Sequence, residues 1–306
     1  MKTIDIGKTG FIAPEIALGL MHIKERTPKE AIALLETALS LGINYFDHAD
    51  IYGRGECEEI FAKAILDMGV PREKIILQSK CGITQRLSYD FSKEHILKSV
   101  DGILKRLHTD YLDVLLLHRP DALMDPCEVA TTFDALYDSG KVKRFGVSNQ
   151  YPMQIELLKK YLSKPLIINQ LQLSVTNTGM IDCGINVNME NPSSVHHDGG
   201  VLDYSRLCDM TIQAWSPLTY GFFEGNFIGD RKFAPLNRVL TRIASEKGVT
   251  PTAIAIAWIL RHPAKIQTIV GTTNPSHLLE ISRASDITIS HDEWYEIYRS
   301  AGNNIP

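Results

Sequence analysis

Four side chains in the first half of the chain carry complementary chemistry. Asp47 and Tyr52 stand in the run INYFDHADIYG, Lys80 ends KIILQSK, and His118 ends YLDVLLLH. A carboxylate, a phenol, an ammonium and an imidazole gathered in one pocket form a proton-delivery device. A phenol with its ordinary pKa of about 10 is a poor acid–base catalyst near neutrality, and a neighbouring ammonium lowers that value by favouring the phenolate. Asp47 would pair with Lys80 and hold its charge in place. His118 would donate a hydrogen bond to a carbonyl oxygen or share a proton with Tyr52. Such a group protonates an oxyanion as hydride arrives at carbon, in a site closed to water. Tyr52 is the expected general acid, and Tyr52 and His118 are the expected substrate contacts.

These residues need elements that bring them together. Apolar strand-like runs occupy 15–20, 43–47, 74–80, 111–118, 143–148, 166–172, 211–217 and 266–271. Continuous runs such as Val114–Leu117 suit strands covered on both faces, as in a parallel sheet. Helix-period segments alternate with them. Over 92–107, Ile96, Val100, Ile103, Leu104 and Leu107 recur at helical spacing behind Ser92 as N-cap. Over 125–138, Asp125 caps, Pro126 takes the first helical position and Glu128 closes a capping box. Ala31, Leu34, Leu35 and Ala38 mark a helix over 28–41, and Thr250–Pro251 opens another that His262–Pro263 ends.

Eight strands each followed by a helix predict a (β/α)₈ TIM barrel in a single domain, 1–306. The rival is a doubly wound open sheet, but no GxGxxG follows a first strand. Polar residues stand where the strands stop: Asp47, Lys80, His118, Ser148–Asn149, Asn169–Gln170, Trp215–Ser216–Pro217 and Gly271–Thr272–Thr273. In a barrel these ends converge on the face where active sites lie. Segment 173–196 is too long and polar for an ordinary connection, and it reads as a functional loop that shapes substrate choice. Met21, His22 and 219–228 are the other expected specificity positions.

Composition narrows the class. The 306 residues are 44% hydrophobic and 22% charged, as in an ordinary globular protein. A net charge of −4 and a pI of about 6.2 remove the basic footprint of a nucleic-acid binder. Five cysteines without a CxxC pair argue against a disulfide framework or zinc ribbon and for a reducing, cytoplasmic setting. No secretory signal opens the sequence and no apolar stretch is long enough for a membrane span.

With these residues in place, the chain resembles the aldo-keto reductase superfamily along nearly its whole length. INYFDHADIYGRGECEE is similar to the strand and loop carrying the family's catalytic Asp and Tyr, here Asp47 and Tyr52. IILQSK and YLDVLLLHRPD match the strands ending in the catalytic Lys80 and His118. GKVKRFGVSN resembles the segment whose Ser148 and Asn149 hold the nicotinamide carboxamide, assisted by Gln170. QAWSPL is similar to the segment that stacks an aromatic, Trp215, on the nicotinamide ring, and GTTNPSHLLE to the one gripping the adenosine end. The resemblance implies NADP as cofactor, with NAD as the alternative. It implies a cofactor set of Gly19, Leu20, Met21, Asp47, Ser148, Asn149, Gln170, Trp215, Ser216, Pro217, Leu218, Gly271, Thr272, Thr273, His277 and Glu280. A small carbonyl or alcohol is the implied substrate, reduced or oxidised by hydride transfer, with no resident metal. The opening pattern 2–12 is similar to the hairpin plug that the family places under its barrel, and 291–300 reads as a C-terminal helix.

The departures are specific. His48 replaces the usual small residue of the motif, Gly271 and His277 align with the Lys and Arg commonly used for the 2′-phosphate, and Ile281 replaces an Asn facing adenine. The chain stops soon after 300, so the long C-terminal substrate loop of some members is missing and a more open pocket is expected. Asp47, His48, Asp50 and His118 also spell a metallohydrolase site, but Lys80 and Tyr52 would then be surplus. His196–His197 read as solvated, Cys57 and Cys81 as packing residues, and Trp294, Tyr295 and Tyr298 as a helix face on the barrel. Arg231 and Lys232 fold over a pyrophosphate or are solvated. The second functional class is a cofactor-binding, redox-sensing regulatory subunit with negligible turnover, since a fold does not fix function.

Overall fold

Eight parallel strands close into a barrel in the computed structural model, which describes residues 1–84 and 88–306. The chain opens with an antiparallel hairpin, β1 (Thr3–Ile6) and β2 (Phe11–Pro14). The barrel strands that follow are β3 (Ile16–Gly19), β4 (Tyr45–Asp47), β5 (Ile76–Cys81), β6 (Val114–Leu117), β7 (Phe145–Ser148), β8 (Leu166–Gln172) and β9 (Thr211–Trp215). A short ribbon, β10 (Thr219–Tyr220) and β11 (Gly225–Asn226), precedes the closing strand β12 (Gln267–Val270). The closed order is β12–β3–β4–β5–β6–β7–β8–β9. Each strand falls within its expected run except β5, which continues to Cys81.

The helices are α1 (Pro28–Ser40), α2 (Glu56–Asp67), α3 (Lys93–Arg106), α4 (Pro126–Asp138), α5 (Pro152–Lys159) and α6 (Gly179–Ile185). They continue as α7 (Val201–Leu207), α8 (Ala234–Lys247), α9 (Pro251–Leu260), α10 (Pro275–Ser282) and α11 (His291–Ser300). Ser92 caps α3 through the His95 amide and Thr250 caps α9 through that of Ala253. At α4 the expected capping box does not form. Asp125 accepts from Cys127 and Glu128, while the Glu128 carboxylate reaches sideways to the Lys93 amide and ties α4 to α3. Helix α9 is buried from Ala253 through Ile259, as suits a helix that is apolar all round.

The hairpin shuts the N-terminal end of the barrel. Ile4, Ile6, Phe11 and Ala13 join Tyr45, Val114, Leu116, Ile167, Ile168 and Ile269 in one interior cluster. Gly7 sits at the tip with φ +63°, and a Cβ there would lie 2.7 Å from Ile167 Cβ, so the plug seats only with glycine.

Segment 173–196 is not the long open loop its composition predicts. It contains α6 and a 3₁₀ turn at Pro192–Ser194, with Met180, Ile181, Cys183 and Asn186 buried. Helix α6 is short, includes two glycines and lacks a side-chain cap, so burial forms it where local propensity does not. The Tyr298 hydroxyl donates to Asp182 and fixes α6 to α11. The indoles of Trp258 and Trp294 stack at 4.7 Å, and each donates its N–H to the other's backbone carbonyl, at 3.0 and 3.1 Å. Trp294 and Tyr298 therefore pack on the barrel shell as expected, whereas Tyr295 stays exposed. Among the described residues, no helix is long and apolar enough to cross a membrane.

Candidate active site

Asp47 is the hub of the C-terminal barrel face. Its carboxylate accepts from Lys80 Nζ at 2.7 Å, from Gln78 Nε2 at 2.6 Å and from Gln170 Nε2 at 3.0 Å. Lys80 also donates to the His48 carbonyl at 2.8 Å and to the Tyr52 hydroxyl at 3.2 Å. The Tyr52 and His118 rings meet edge to face with centroids 5.9 Å apart. The structure thus brings together the four residues singled out from sequence, contributed by β4, the loop after it, β5 and the end of β6.

The electrostatics refine one expectation. Burial pushes the Tyr52 phenol above its ordinary range, and Lys80 only partly offsets this. Tyr52 therefore keeps its proton at neutral pH, where the ammonium alone would lower its pKa. For Lys80, burial disfavours the charge, but Asp47 and Tyr52 outweigh it and hold the ammonium above its usual value. Burial, with Lys80 and Arg119 adding to it, pushes His118 well down, so its imidazole is neutral.

Below the hub lies a buried amide network that the sequence reading caught only at Gln170. Gln78 and Gln170 both donate to Gln213 Oε1, at 2.8 and 3.0 Å. Gln213 donates to the Tyr45 hydroxyl at 3.2 Å and to Gln267 at 2.7 Å, and Tyr45 donates to Gln78 at 2.7 Å. Every donor that fixes Asp47 is itself fixed. The signal was available: Gln78 precedes Lys80 by two residues, and positions two apart on a strand share a face.

A cavity of about 840 Å³ opens above this hub, inside the range of about 300–1,000 Å³ usual for ligand sites. Of the expected cofactor set, Gly19, Met21, Asp47, Ser148, Asn149, Gln170, Trp215, Ser216, Pro217, Leu218, Gly271, Thr272, His277 and Glu280 line it. Leu20 and Thr273 do not. Leu20 turns into the hydrophobic core, with its amide on the Asp47 carbonyl, and positions β4 instead. Asn149, at φ +58°, accepts from Trp215 Nε1 at 3.1 Å and donates to Ser148 Oγ at 2.7 Å, which sets the indole plane. At the other end α10 starts beside Thr272 and His277, and its N-terminus favours an anion. A Cβ at Gly271 would meet nothing, so that end is open. These residues fit an extended dinucleotide.

The substrate end differs from expectation. Among the described residues, none from 173–196 lines the cavity, because α6 folds away onto α11. Met21, His22 and the β10–β11 ribbon do line it, together with Ile51, Ile83, Tyr89 and Arg119, which sequence reasoning missed. Phe223 stacks on Trp215 at 5.7 Å and Phe222 meets it edge-on at 6.3 Å. These apolar groups partly close the pocket that the short C-terminus was expected to leave open.

The remaining readings resolve by position. His48 is fully buried without a partner for either ring nitrogen, edge-on to Phe61 at 4.7 Å, and burial pushes it down to about 3. It acts as a neutral aromatic core residue. Among the described residues, Asp47, His48, Asp50 and His118 form no metal cluster. Cys183 of α6, His196 and Asp198 do bring ligand-type atoms within 4.8 Å of one another, and none of the three lines the cavity. Cys57 and Cys81 are buried core residues. Arg231 and Lys232 line no part of the main cavity, and Lys232 lies over the Tyr220 ring at 4.4 Å.

Comparison with known proteins agrees with this geometry. The model of the aldo/keto reductase family matches residues 15–301. An uncharacterized oxidoreductase YcsN of Bacillus subtilis is 38% identical over 94% of both chains. The 6-dehydroglucose reductase of Agrobacterium fabrum is 36% identical over 90% of this chain and 89% of its own. The solved structure of the thermostable aldo-keto reductase Tm1743 with epalrestat superposes with a TM-score of 0.79 at 27% identity, covering 98% of this chain and all of that one. A closed eight-stranded barrel, an Asp–Lys–Tyr–His cluster at its C-terminal mouth and a family match over almost the whole chain coincide: this protein belongs to the aldo/keto reductase family.

Proposed function

We propose that the protein is an NAD(P)H-dependent oxidoreductase that reduces an aldehyde or ketone to the alcohol, or runs the reverse, with Tyr52 as general acid. The observation that carries this is Lys80 Nζ bound at once to Asp47 Oδ2 and to the Tyr52 hydroxyl. When bound, the reduced dinucleotide supplies the hydride. Tyr52 holds its proton at rest because burial raises its pKa, and it donates that proton to the carbonyl oxygen as charge develops there. Lys80 stabilises the phenolate left behind, and Asp47 keeps Lys80 charged. His118, neutral, orients the carbonyl by a hydrogen bond. Trp215, locked by Asn149, offers a flat wall for the nicotinamide, and the α10 N-terminus receives the adenosine end. NADPH is the proposed cofactor, with NADH as a weaker alternative, and the enzyme works as a single domain in the cytoplasm.

The test is steady-state turnover of a simple aldehyde with NADPH, in the wild type and in Tyr52→Phe. The variant should lose roughly 10²–10⁴-fold in kcat, with the NADPH dissociation constant within a few-fold. A wild-type protein that binds NADPH yet turns nothing over would point to a regulatory subunit. Near-normal turnover in Tyr52→Phe would remove Tyr52 from the mechanism.

A further inference from the structure

Among the described residues, Arg119 is the only lysine or arginine that lines the cavity. It follows His118 directly, and its guanidinium carbon lies 5.7 Å from the Trp215 ring centre and 5.8 Å from that of Phe222. It makes no hydrogen bond or ion pair with any described residue. The two carboxylates of the cavity lie elsewhere: Asp47 is saturated by Lys80, Gln78 and Gln170, and Glu280 belongs to α10.

Aromatic faces attract a guanidinium but leave all five of its N–H donors unused. Burial already presses the Arg119 charge down, so the group sits partly desolvated without a counter-charge. A planar fork of that kind matches a carboxylate or a phosphate, and the match gains strength where water is thin. The cofactor phosphates are an unsuitable partner. Strand β6 stands four places from β12 in the closed order of eight, so Arg119 starts across the barrel from the Gly271–His277 end.

We propose that Arg119, with Trp215 and Phe222 as walls, is an anion subsite for the substrate. The preferred substrate is then an aldehyde or ketone with a carboxylate or phosphate set beyond the carbonyl. The anion docks on the guanidinium while the carbonyl reaches Tyr52 and His118. This rests on the carbonyl-reductase reading above.

Matched pairs test it: succinic semialdehyde against methyl 4-oxobutanoate, 4-carboxybenzaldehyde against its methyl ester, and glyceraldehyde 3-phosphate against glyceraldehyde. The wild type should favour the anion in kcat/KM by about tenfold or more in at least one pair, the worth of one charge-assisted contact. The carboxylate and phosphate arms show which anion the subsite takes. Arg119→Met should abolish the preference, with neutral aldehydes and the NADPH dissociation constant changed less than about threefold, and Arg119→Lys should recover part of it. Equal rates within every pair, or equal loss for anionic and neutral members in Arg119→Met, would overturn the subsite while leaving carbonyl reduction standing. Weakened NADPH binding in Arg119→Met would reassign the residue to the cofactor and also overturn it. Failure of the underlying reading looks different, since no aldehyde of either kind would then be reduced.

Discussion

The ammonium of Lys80 stands 3.2 Å from the phenolic oxygen of Tyr52, with no exposure of its own to the cavity. It therefore acts on chemistry only through its neighbour. With Tyr52 as the acid proposed above, alcohol oxidation should need the phenolate and rise with pH, whereas reduction should need the phenol and stay level through neutrality. In Lys80→Met the phenolate loses its cation, so the oxidation limb should move to higher pH. Full pH profiles in both directions check this, on variant protein shown to be folded, because Asp47 is left buried without its ion partner. A profile that scales down without moving would show that Lys80 does not tune Tyr52.

Substrate choice should reside in the β10–β11 ribbon and not in 173–196. Phe222→Ala and Phe223→Ala remove apolar walls worth about 1.5–3 kcal/mol when fully buried, and both rings are at least half exposed in the free protein. Ratios of kcat/KM among aldehydes should shift by several-fold up to tenfold. Shortening 186–195 should lower the melting temperature and leave those ratios alone, since the buried Asn186 ties this stretch to the Asp182 and Asn304 carbonyls and none of it lines the cavity. A changed substrate order on shortening would return the segment to the active site.

The adenosine end predicts a muted cofactor preference. Gly271 and His277 replace fixed charge with open space and an exposed imidazole. The NADPH preference should be about tenfold or less and should shrink in His277→Ala. KM for both dinucleotides, in the wild type and in His277→Ala, is the measurement. A strong NADH preference would overturn the cofactor assignment.

Asp50 gives a stability prediction with a sign. Burial, with the Glu58 carboxylate nearby, raises its pKa to about 7. The unfolded chain ionises this group near 3.8 while the folded chain keeps it protonated. Stability linked to it is fully present below about 4 and is lost as pH rises through about 7. Asp50→Asn keeps the shape and cannot ionise, so it should stabilise by about 1–3 kcal/mol at pH 8 and less at pH 5. Melting temperatures at both pH values decide it, and an equal shift at each would show that Asp50 is ionised in the fold.

Much of this protein was written in local sequence. The strands were legible because parallel strands covered on both faces need unbroken apolar runs, as at Val114–Leu117, and their polar ends marked the active face. The caps at Ser92 and Thr250 were legible because capping is satisfied within one turn. What required tertiary structure was everything decided by neighbours distant in sequence. Glu128 left its own helix for Lys93, a choice between two backbone donors that no local pattern encodes. Segment 173–196 looked like a polar loop because its helix forms only when Met180, Ile181 and Cys183 are buried and Tyr298 holds Asp182. The direction of the Tyr52 shift also lay beyond the sequence. Residue types supply the ammonium that lowers a phenol's pKa, but only packing sets how much water is removed, and here the loss of water is the larger effect.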